Sequence, residues 1–275
     1  MQPSHNELSE FYDYDVLFEE LANQEPRSVA WRFNQRPLDD YVFSKHEVPL
    51  PEYLEKIALE RGAAFPENAE AELARLLLKR RSTFINGMGQ TWTLSDVNAL
   101  LTWSAGIRDT HRHMGSRGTE EVIAMRTYPS GGAMYPIKLY MYIRGVKGLE
   151  EGVYYYAPVQ QELYRYRGSL EIGELERMLP MTLYKTDARS SMLEGVSILL
   201  FFIADLQYSF RKYGRLSYKL ALIEAGHIAQ NIQLISTALD KRTLPICGFF
   251  ADKVEEMLQV REQKYQHCVY AMLLG

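Results

Sequence analysis

The stretch RTYPSGGAMYPIKLYMY, residues 126 to 142, holds the first residues with an evident chemical use. Gly131 and Gly132 free the backbone to turn sharply and bring its N–H groups close to a ligand, while Pro129 fixes the entry angle. The Ser130 hydroxyl and the two glycine N–H groups could bind the carbonyl edges of a flat ring; the same residues also make an ordinary turn. Arg80 and Arg81, in KRRS at 79 to 82, could clamp a phosphate through their planar donor forks, or simply be solvated at a helix end. Gly226 lies inside KYGRLSYKLALIEAGHIAQN, 212 to 231. A glycine within a helix costs on the order of 1 kcal/mol against alanine, so either another helix or a cofactor needs the space. ICGFFADKVEEML, 246 to 258, adds a Gly-Phe pair before a short helix. His227 reads as a satisfied core residue rather than a catalyst, and His111 and His113 are too loosely placed for a metal pair.

A mixed set of elements has to position these groups. PENAEAELARLLLKRR (66 to 81) is rich in helix formers and ends in cations, which suit a helix C-terminus. TLSDVNALLTWSAGI (93 to 107) opens on Thr93 and Ser95 as possible N-caps and carries an apolar stripe from Leu94 to Ala105. HRHMGSRGTEEV (111 to 122) is polar and without period, and reads as a mobile loop. Ile137, Leu139, Met141 and Ile143 alternate with Lys138, Tyr140, Tyr142 and Arg144, the pattern of a half-buried strand. GVYYYAPVQQELYRY (152 to 166) reads as a hairpin, a helix follows at 170 to 179, and GVSILLFFIAD (195 to 205) reads as a strand buried on both faces. Residues 213 to 239 predict one long central helix, 251 to 258 a short helix, and 267 to 275 a closing strand. Without regular βαβ alternation, this order predicts an α+β sandwich. Residues 1 to 62, with Pro26, Pro37, Pro49 and Pro51, read as an arm of short helices and loops on a domain spanning 63 to 275.

The chain of 275 residues is 47% hydrophobic and 24% charged, which suits a globular protein with a substantial core. A net charge of -4 gives no global reason to expect nucleic acid or an anionic membrane, and directs attention to a small-molecule or peptide ligand. Cys247 and Cys268 form no CxxC pair and have no histidine at ligand spacing, which argues against a disulfide framework and against zinc. The N-terminus does not read as a signal peptide and no apolar run reaches membrane-spanning length, so the cytoplasm is the expected location.

The ordered set RRS, PSGGAxYPI, KYxxxxYxxALxEAGHxxQN and GF before a short helix covers roughly residues 75 to 275. It resembles the nitroreductase-like flavoprotein superfamily, and within it the azoline dehydrogenases of streptolysin and microcin type, which make thiazoles and oxazoles in ribosomal peptides. The resemblance implies a nitroreductase-like α+β sandwich, a central mixed sheet flanked by helices, in an obligate homodimer of domain-swapped type. It also implies FMN at each subunit interface and no nicotinamide cofactor for the dehydrogenation itself, while the cysteine and histidine spacing gives no metal site. Carried onto this chain, it makes Arg80 and Ser82, with Arg81 as a further partner, ligands of the FMN phosphate and ribityl chain. Pro129, Ser130, Gly131 and Gly132 would line the isoalloxazine, with Ser130 the foremost side chain. Glu224, Ala225 and Gly226 would let the long helix approach the ring, and Gln230 or Asn231 would reach its polar atoms. Nitroreductases often end on a basic residue that binds the phosphate, whereas this chain ends VYAMLLG, which puts more weight on Arg80.

Lys212 and Tyr213 coincide with the pair proposed to serve the peptide chemistry of that group. An azoline loses a proton α to the carbonyl and a hydride, and becomes aromatic. A free phenol, with a pKa near 10, is a poor base at neutral pH; a neighbouring ammonium would stabilise the phenolate. A solvated Lys212 and a core Tyr213 are the plain alternative, and which of the two is the base stays open. The implied activity is FMN-dependent oxidation of peptide thiazolines and oxazolines, with dioxygen reoxidising the flavin. A cyclodehydratase must act as partner, since no GxxxxGK[ST] loop occurs here. The rivals are an NAD(P)H-dependent nitroreductase or quinone reductase, and a non-enzymatic scaffold subunit of an azole synthetase complex.

Overall fold

The computed structural model describes residues 52, 54–60, 73–83, 87–114, 120–179, 193–261 and 265–275. In chain order the elements are β1 (Glu55–Ala58), α1 (Leu73–Lys79), α2 (Leu94–Ala105), β2 (Ile107–Met114), β3 (Glu120–Arg126), β4 (Ile137–Ile143), β5 (Gly152–Ala157), β6 (Glu162–Arg167), α3 (Ile172–Arg177), β7 (Ile198–Asp205), α4 (Gln207–Tyr213), α5 (Leu216–Ala238), β8 (Thr243–Ile246), α6 (Ala251–Met257) and β9 (Gln266–Leu274). Seven strands form one sheet in the order β1-β6-β5-β4-β7-β9-β8, and each ladder between neighbours is antiparallel. Among the described residues, parallel pairing is confined to the isolated bridges Ser82–Thr243 and Thr93–Lys147, so the sheet expected to be mixed is antiparallel in its ladders.

Period-two alternation divides the core into two layers. On one face, Ile137, Leu139, Met141 and Ile143 join Leu200 and Phe202 beneath Leu100 of α2 and Ala221, Ala225 and Ile228 of α5. On the other, Tyr140, Tyr142, Leu199 and Phe201 meet Leu175 of α3 and Val254 of α6. The strand read as half-buried therefore carries buried tyrosines on its second face, because a second helical layer covers it. Tyr142 tolerates burial by using its hydroxyl: it donates to Glu151 and accepts the Leu170 N–H at 3.0 Å. β7 is buried along its whole length, as its uninterrupted apolar run requires; each such side chain contributes roughly 1.5–3 kcal/mol. Thr93 caps α2 in a reciprocal box with Asp96, the two bonds measuring 3.2 and 2.9 Å.

Three segments differ from the sequence reading. Glu55–Ala58, within the stretch read as an arm, is the edge strand of the sheet, Glu55 standing opposite Arg165 and Ala58 opposite Glu162. The other residues of that arm, apart from 52, 54, 59 and 60, lie outside the described residues. The polar segment at 111 to 122 enters a hairpin, β2 with β3, in which His111 faces Ile123 and Arg112 faces Val122. A two-stranded ribbon outside the main sheet has no core face to impose alternation, which is why its composition looked like a loop. The long helix expected from 213 to 239 is α5, but a short helix the sequence reading lacked, α4, precedes it and ends at Gly214, whose φ of 57° only glycine adopts without strain.

Candidate active site

Between β3 and β4 the chain makes one 3-10 turn, Gly131–Ala133, and then passes through Tyr135. Gly132, Ala133 and Tyr135 have φ values of 62°, 53° and 48°. Left-handed backbone is open to glycine but costs an L-residue roughly 1–2 kcal/mol, so Ala133 and Tyr135 have to be held in place. Ser130 Oγ accepts the Tyr135 N–H at 2.9 Å, and Tyr135 Oη accepts the Arg126 N–H at 3.1 Å. The Tyr128 and Tyr135 rings meet edge to face with centroids 5.6 Å apart. The Ser130 oxygen thus helps to close its own loop, and its side chain also hydrogen-bonds Glu224.

Lys212 and Tyr213 end α4 and face this loop. A Cβ built on Gly132 would lie 2.7 Å from Lys212 Nζ and collide with Tyr213 Oη. Glycine is thus demanded twice at this position, by the backbone angle and by space. The Lys212 ammonium stands 5.0 Å from the centroid of the Tyr213 ring. The two sequence neighbours therefore point to one place, the step the sequence alone left open. Their electrostatics differ from the expectation of an ammonium-stabilised phenolate. Burial pushes the Lys212 amine down and the Tyr213 phenol up, so each is moved toward its neutral form.

From α5, Glu224 reaches under the same loop. Its Oε1 accepts the Ile137 N–H at 3.1 Å, and the residue is 1% exposed. Burial raises its carboxyl, an effect partly offset by Ser130, the Ile137 N–H, Arg126 and Lys138. Glu224 thus braces the start of β4 through one carboxylate oxygen, and Ala225 packs in the core beside it. Asn231 likewise turns inward, its Nδ2 donating to Ser104 O at 3.3 Å and Thr127 O at 3.4 Å. Gly226, His227 and Gln230 lie on the exposed face of α5 with Leu222 and Ile223, and among the described residues nothing lies within 4 Å of a Cβ built on Gly226. His227, read as a core residue, is thereby placed on the surface.

Arg80 donates from Nη1 to Gln233 Oε1 at 2.7 Å, Arg81 and Ser82 are exposed, and Ser82 bridges to Thr243. The PSGG loop meets α5 at Leu220, whose Cδ1 is 3.0 Å from a Cβ built on Gly131. At 1.5 Å per residue, the levels of Leu220 and Gln233 are about 20 Å apart along the helix. The chain thus gathers Pro129, Ser130, Gly131, Gly132, Lys212 and Tyr213 at one end of α5, and Arg80, Arg81 and Ser82 toward the other. Pro129 and Gly132 are exposed, and Ser130 and Gly131 half-buried.

Sequence reasoning missed Arg126, Tyr128, Tyr135, Lys138 and Gln233. Arg126 Nη1 donates to Tyr128 Oη at 2.6 Å, and its guanidinium lies 4.6 Å from the centroid of the Tyr135 ring. Burial and the charge of Arg126 push the Lys138 amine down to about 8. The available signal was a lysine in the strand pattern and an arginine just before the prolines, neither of which announces a buried partner. Among the described residues no group of His, Cys, Asp and Glu could hold a metal ion, and no helix is long and apolar enough to cross a membrane.

The sequence profile of the nitroreductase family matches residues 95–275. A candidate nitroreductase of Methanocaldococcus jannaschii is 28% identical over 197 residues, 72% of this chain and 89% of that one. The fold is shared with a candidate nitroreductase of Anabaena variabilis, at a TM-score of 0.60 and 23% identity over 84% of this chain but 45% of that one, so this chain spans less than half of its length. A candidate nitroreductase of Ralstonia eutropha gives 0.59 and 19% over 82% of this chain and 93% of that one. A chain of the Escherichia coli microcin synthetase McbBCD complex, solved with truncated pro-MccB17 bound, gives 0.55 and 17% over 100% of this chain and 97% of that one.

Proposed function

The chain belongs to the nitroreductase family, and from that premise we propose that it is an FMN-dependent dehydrogenase that oxidises thiazolines and oxazolines of a peptide to the aromatic azoles. The observation that carries this reading is the convergence of Lys212 Nζ and Tyr213 Oη on Gly132. A reductase that only shuttles electrons from a nicotinamide has no need of an amine and a phenol set over its turn. A dehydrogenase that must also remove a carbon-bound proton does. The end-to-end fold likeness to a chain of the microcin synthetase complex adds support, including for a place beside a cyclodehydratase that supplies the azoline peptide.

The residues fit FMN in two halves. Pro129 and Gly132 present exposed backbone for the ring, and Arg81 and Ser82 are exposed beside Arg80 with the donors a phosphate requires. Within one protomer these halves stand about 20 Å apart on α5, with Gly226 and His227 midway between them. A two-fold axis through that exposed midpoint would set Arg80 and Arg81 of one protomer against the loop, Lys212 and Tyr213 of its partner. Leu222 and Ile223, 38% and 48% exposed, are the apolar contacts of that interface.

FMN, when bound, supplies the acceptor of the hydride, and dioxygen is the terminal oxidant. Lys212 Nζ, moved toward the free amine by burial, takes the proton α to the carbonyl. Tyr213 keeps its phenolic proton and donates it as a hydrogen bond that orients the heterocycle. Purified protein incubated with a cyclised peptide should lower its mass by about 2 units per ring, without NAD(P)H. An unchanged peptide together with NADPH oxidation by a nitroaromatic would establish the plain reductase instead. A colourless protein that stimulates cyclisation would establish a scaffold.

A further inference from the structure

The turn that carries Ser130 to Gly132 has few anchors of its own: Pro129 and Gly132 are exposed, and Ser130, Gly131, Ala133 and Met134 half-buried. Its buried anchors are Tyr128 and Tyr135, 3% and 7% exposed, which stand immediately before Pro129 and Pro136. Arg126 binds both. Nη1 donates to Tyr128 Oη at 2.6 Å, the guanidinium lies over the Tyr135 ring at 4.6 Å and the Tyr128 ring at 5.8 Å, and the Arg126 N–H donates to Tyr135 Oη at 3.1 Å. One residue thereby ties the two ends of a loop whose Ala133 and Tyr135 stand in left-handed backbone.

We propose that Arg126 is a positioning residue, which holds residues 129–135 in that course and so keeps Gly132 beneath Lys212 and Tyr213. Its catalytic consequence rests on the function proposed above; its structural one does not. Arginine suits the task because a planar guanidinium stacks on a ring and donates in its own plane at once, which an ammonium cannot do. Burial works against its charge, but Tyr128 and Glu224 more than offset that and leave the cation favoured. Glu224 braces the far end of the loop through the Ile137 N–H, so the segment is held from β3 on one side and α5 on the other.

Amide hydrogen exchange of the full-length, flavin-loaded protein tests this. In Arg126→Met, amides of residues 130–135 should exchange about tenfold faster while those of β7 stay unchanged, because local opening and global unfolding are separate events. Arg126→Lys, which keeps the charge over the ring, should fall between. Tyr128→Phe, which removes only the accepting hydroxyl, should loosen the same amides by about threefold and serves if Arg126→Met does not fold. Flavin content should hold while kcat falls. Unchanged exchange at 130–135, or an acceleration shared equally by β7, would overturn the proposal. A loosened loop in a protein whose wild type oxidises no azoline would uphold the positioning role and sink the proposed function.

Discussion

Replacing Gly132 by alanine tests the central geometry without presupposing any substrate. The left-handed backbone at φ 62° costs an L-residue roughly 1–2 kcal/mol. The new methyl would also stand 2.7 Å from Lys212 Nζ and overlap Tyr213 Oη, whereas ordinary contact begins at 3.4 Å. The lysine tip has to retreat by about 0.7 Å and the phenol further, at roughly 0.5–1.5 kcal/mol for off-rotamer side chains. The expected loss of stability is about 2–3 kcal/mol by urea unfolding. In a Tyr213→Phe background the colliding oxygen is gone, and the penalty of Gly132→Ala should shrink by about 1 kcal/mol. Gly131→Ala is the comparison: it meets only the methyls of Leu220, at 3.0 and 3.2 Å, and should cost less. If the proposed chemistry holds, Gly132→Ala should also slow azole formation about 100-fold, because the reacting groups are displaced by the better part of an ångström. Strictly additive stabilities in the Gly132 and Tyr213 cycle would refute the convergence on which the site is built.

The rate of azole formation should rise with pH and level off above the folded pKa of Lys212, which burial holds below the usual 10.5; this limb should vanish in Lys212→Ala and survive, at a lower rate, in Tyr213→Phe. If the proposed two-fold dimer forms, Ile223→Arg should dissociate it in sedimentation, whereas Gly226→Ala should add up to about 1 kcal/mol to the isolated chain, since nothing described lies within 4 Å of a Cβ there. Lys138 titrates at about 8 in the folded chain against 10.5 unfolded. Between those values the unfolded state binds the proton that the folded state has lost, so this group's contribution to stability rises with pH. Lys138→Met should accordingly stabilise the protein by about 1 kcal/mol below pH 8, the half-buried site being partly screened, and gain nothing above pH 10.5 in urea titrations.

Elements whose sequence pattern matched one physical demand were legible. β7 has no polar residue before Asp205, and no arrangement other than burial on both faces suits it. The β5–β6 hairpin turns where Pro158 and the left-handed Gln161, φ 58°, permit. The long helix read at 213 to 239 is α5, whereas the short α4 before Gly214 was missed because seven residues carry too little period to declare a helix. In the site, Gly132, Lys212 and Tyr213 were named from sequence, but their meeting is a tertiary fact that residue types cannot supply. Glu224 and Asn231 were named from sequence, but that each also ties α5 to a neighbouring segment could not be read there, because a polar side chain on a helix does not declare its burial. Arg126 escaped notice for the converse reason. Its partners are phenols and rings, which sequence reads as packing.

The spacing along α5 makes a composite site testable by complementation. Suppose Arg80→Ala/Arg81→Ala and Lys212→Ala are each folded and each inactive in azole formation. If one protomer supplied both groups to a site, every site in a mixed dimer would carry a defect, and mixing would restore nothing. If the cationic pair of one protomer faces the Lys212 of its partner, a mixed dimer places both defects in one site and leaves the other intact. Random reassociation makes half of the dimers mixed, each with one competent site of two, so about a quarter of wild-type activity should return. The restored fraction should disappear when Ile223→Arg is added to both chains, because the exposed face of α5 is then closed to the partner. No recovery on mixing, with subunit exchange confirmed by mass, would mean that Arg80 and Lys212 do not meet across a two-fold axis, and the phosphate would have to be bound by residues other than the pair at 80 and 81.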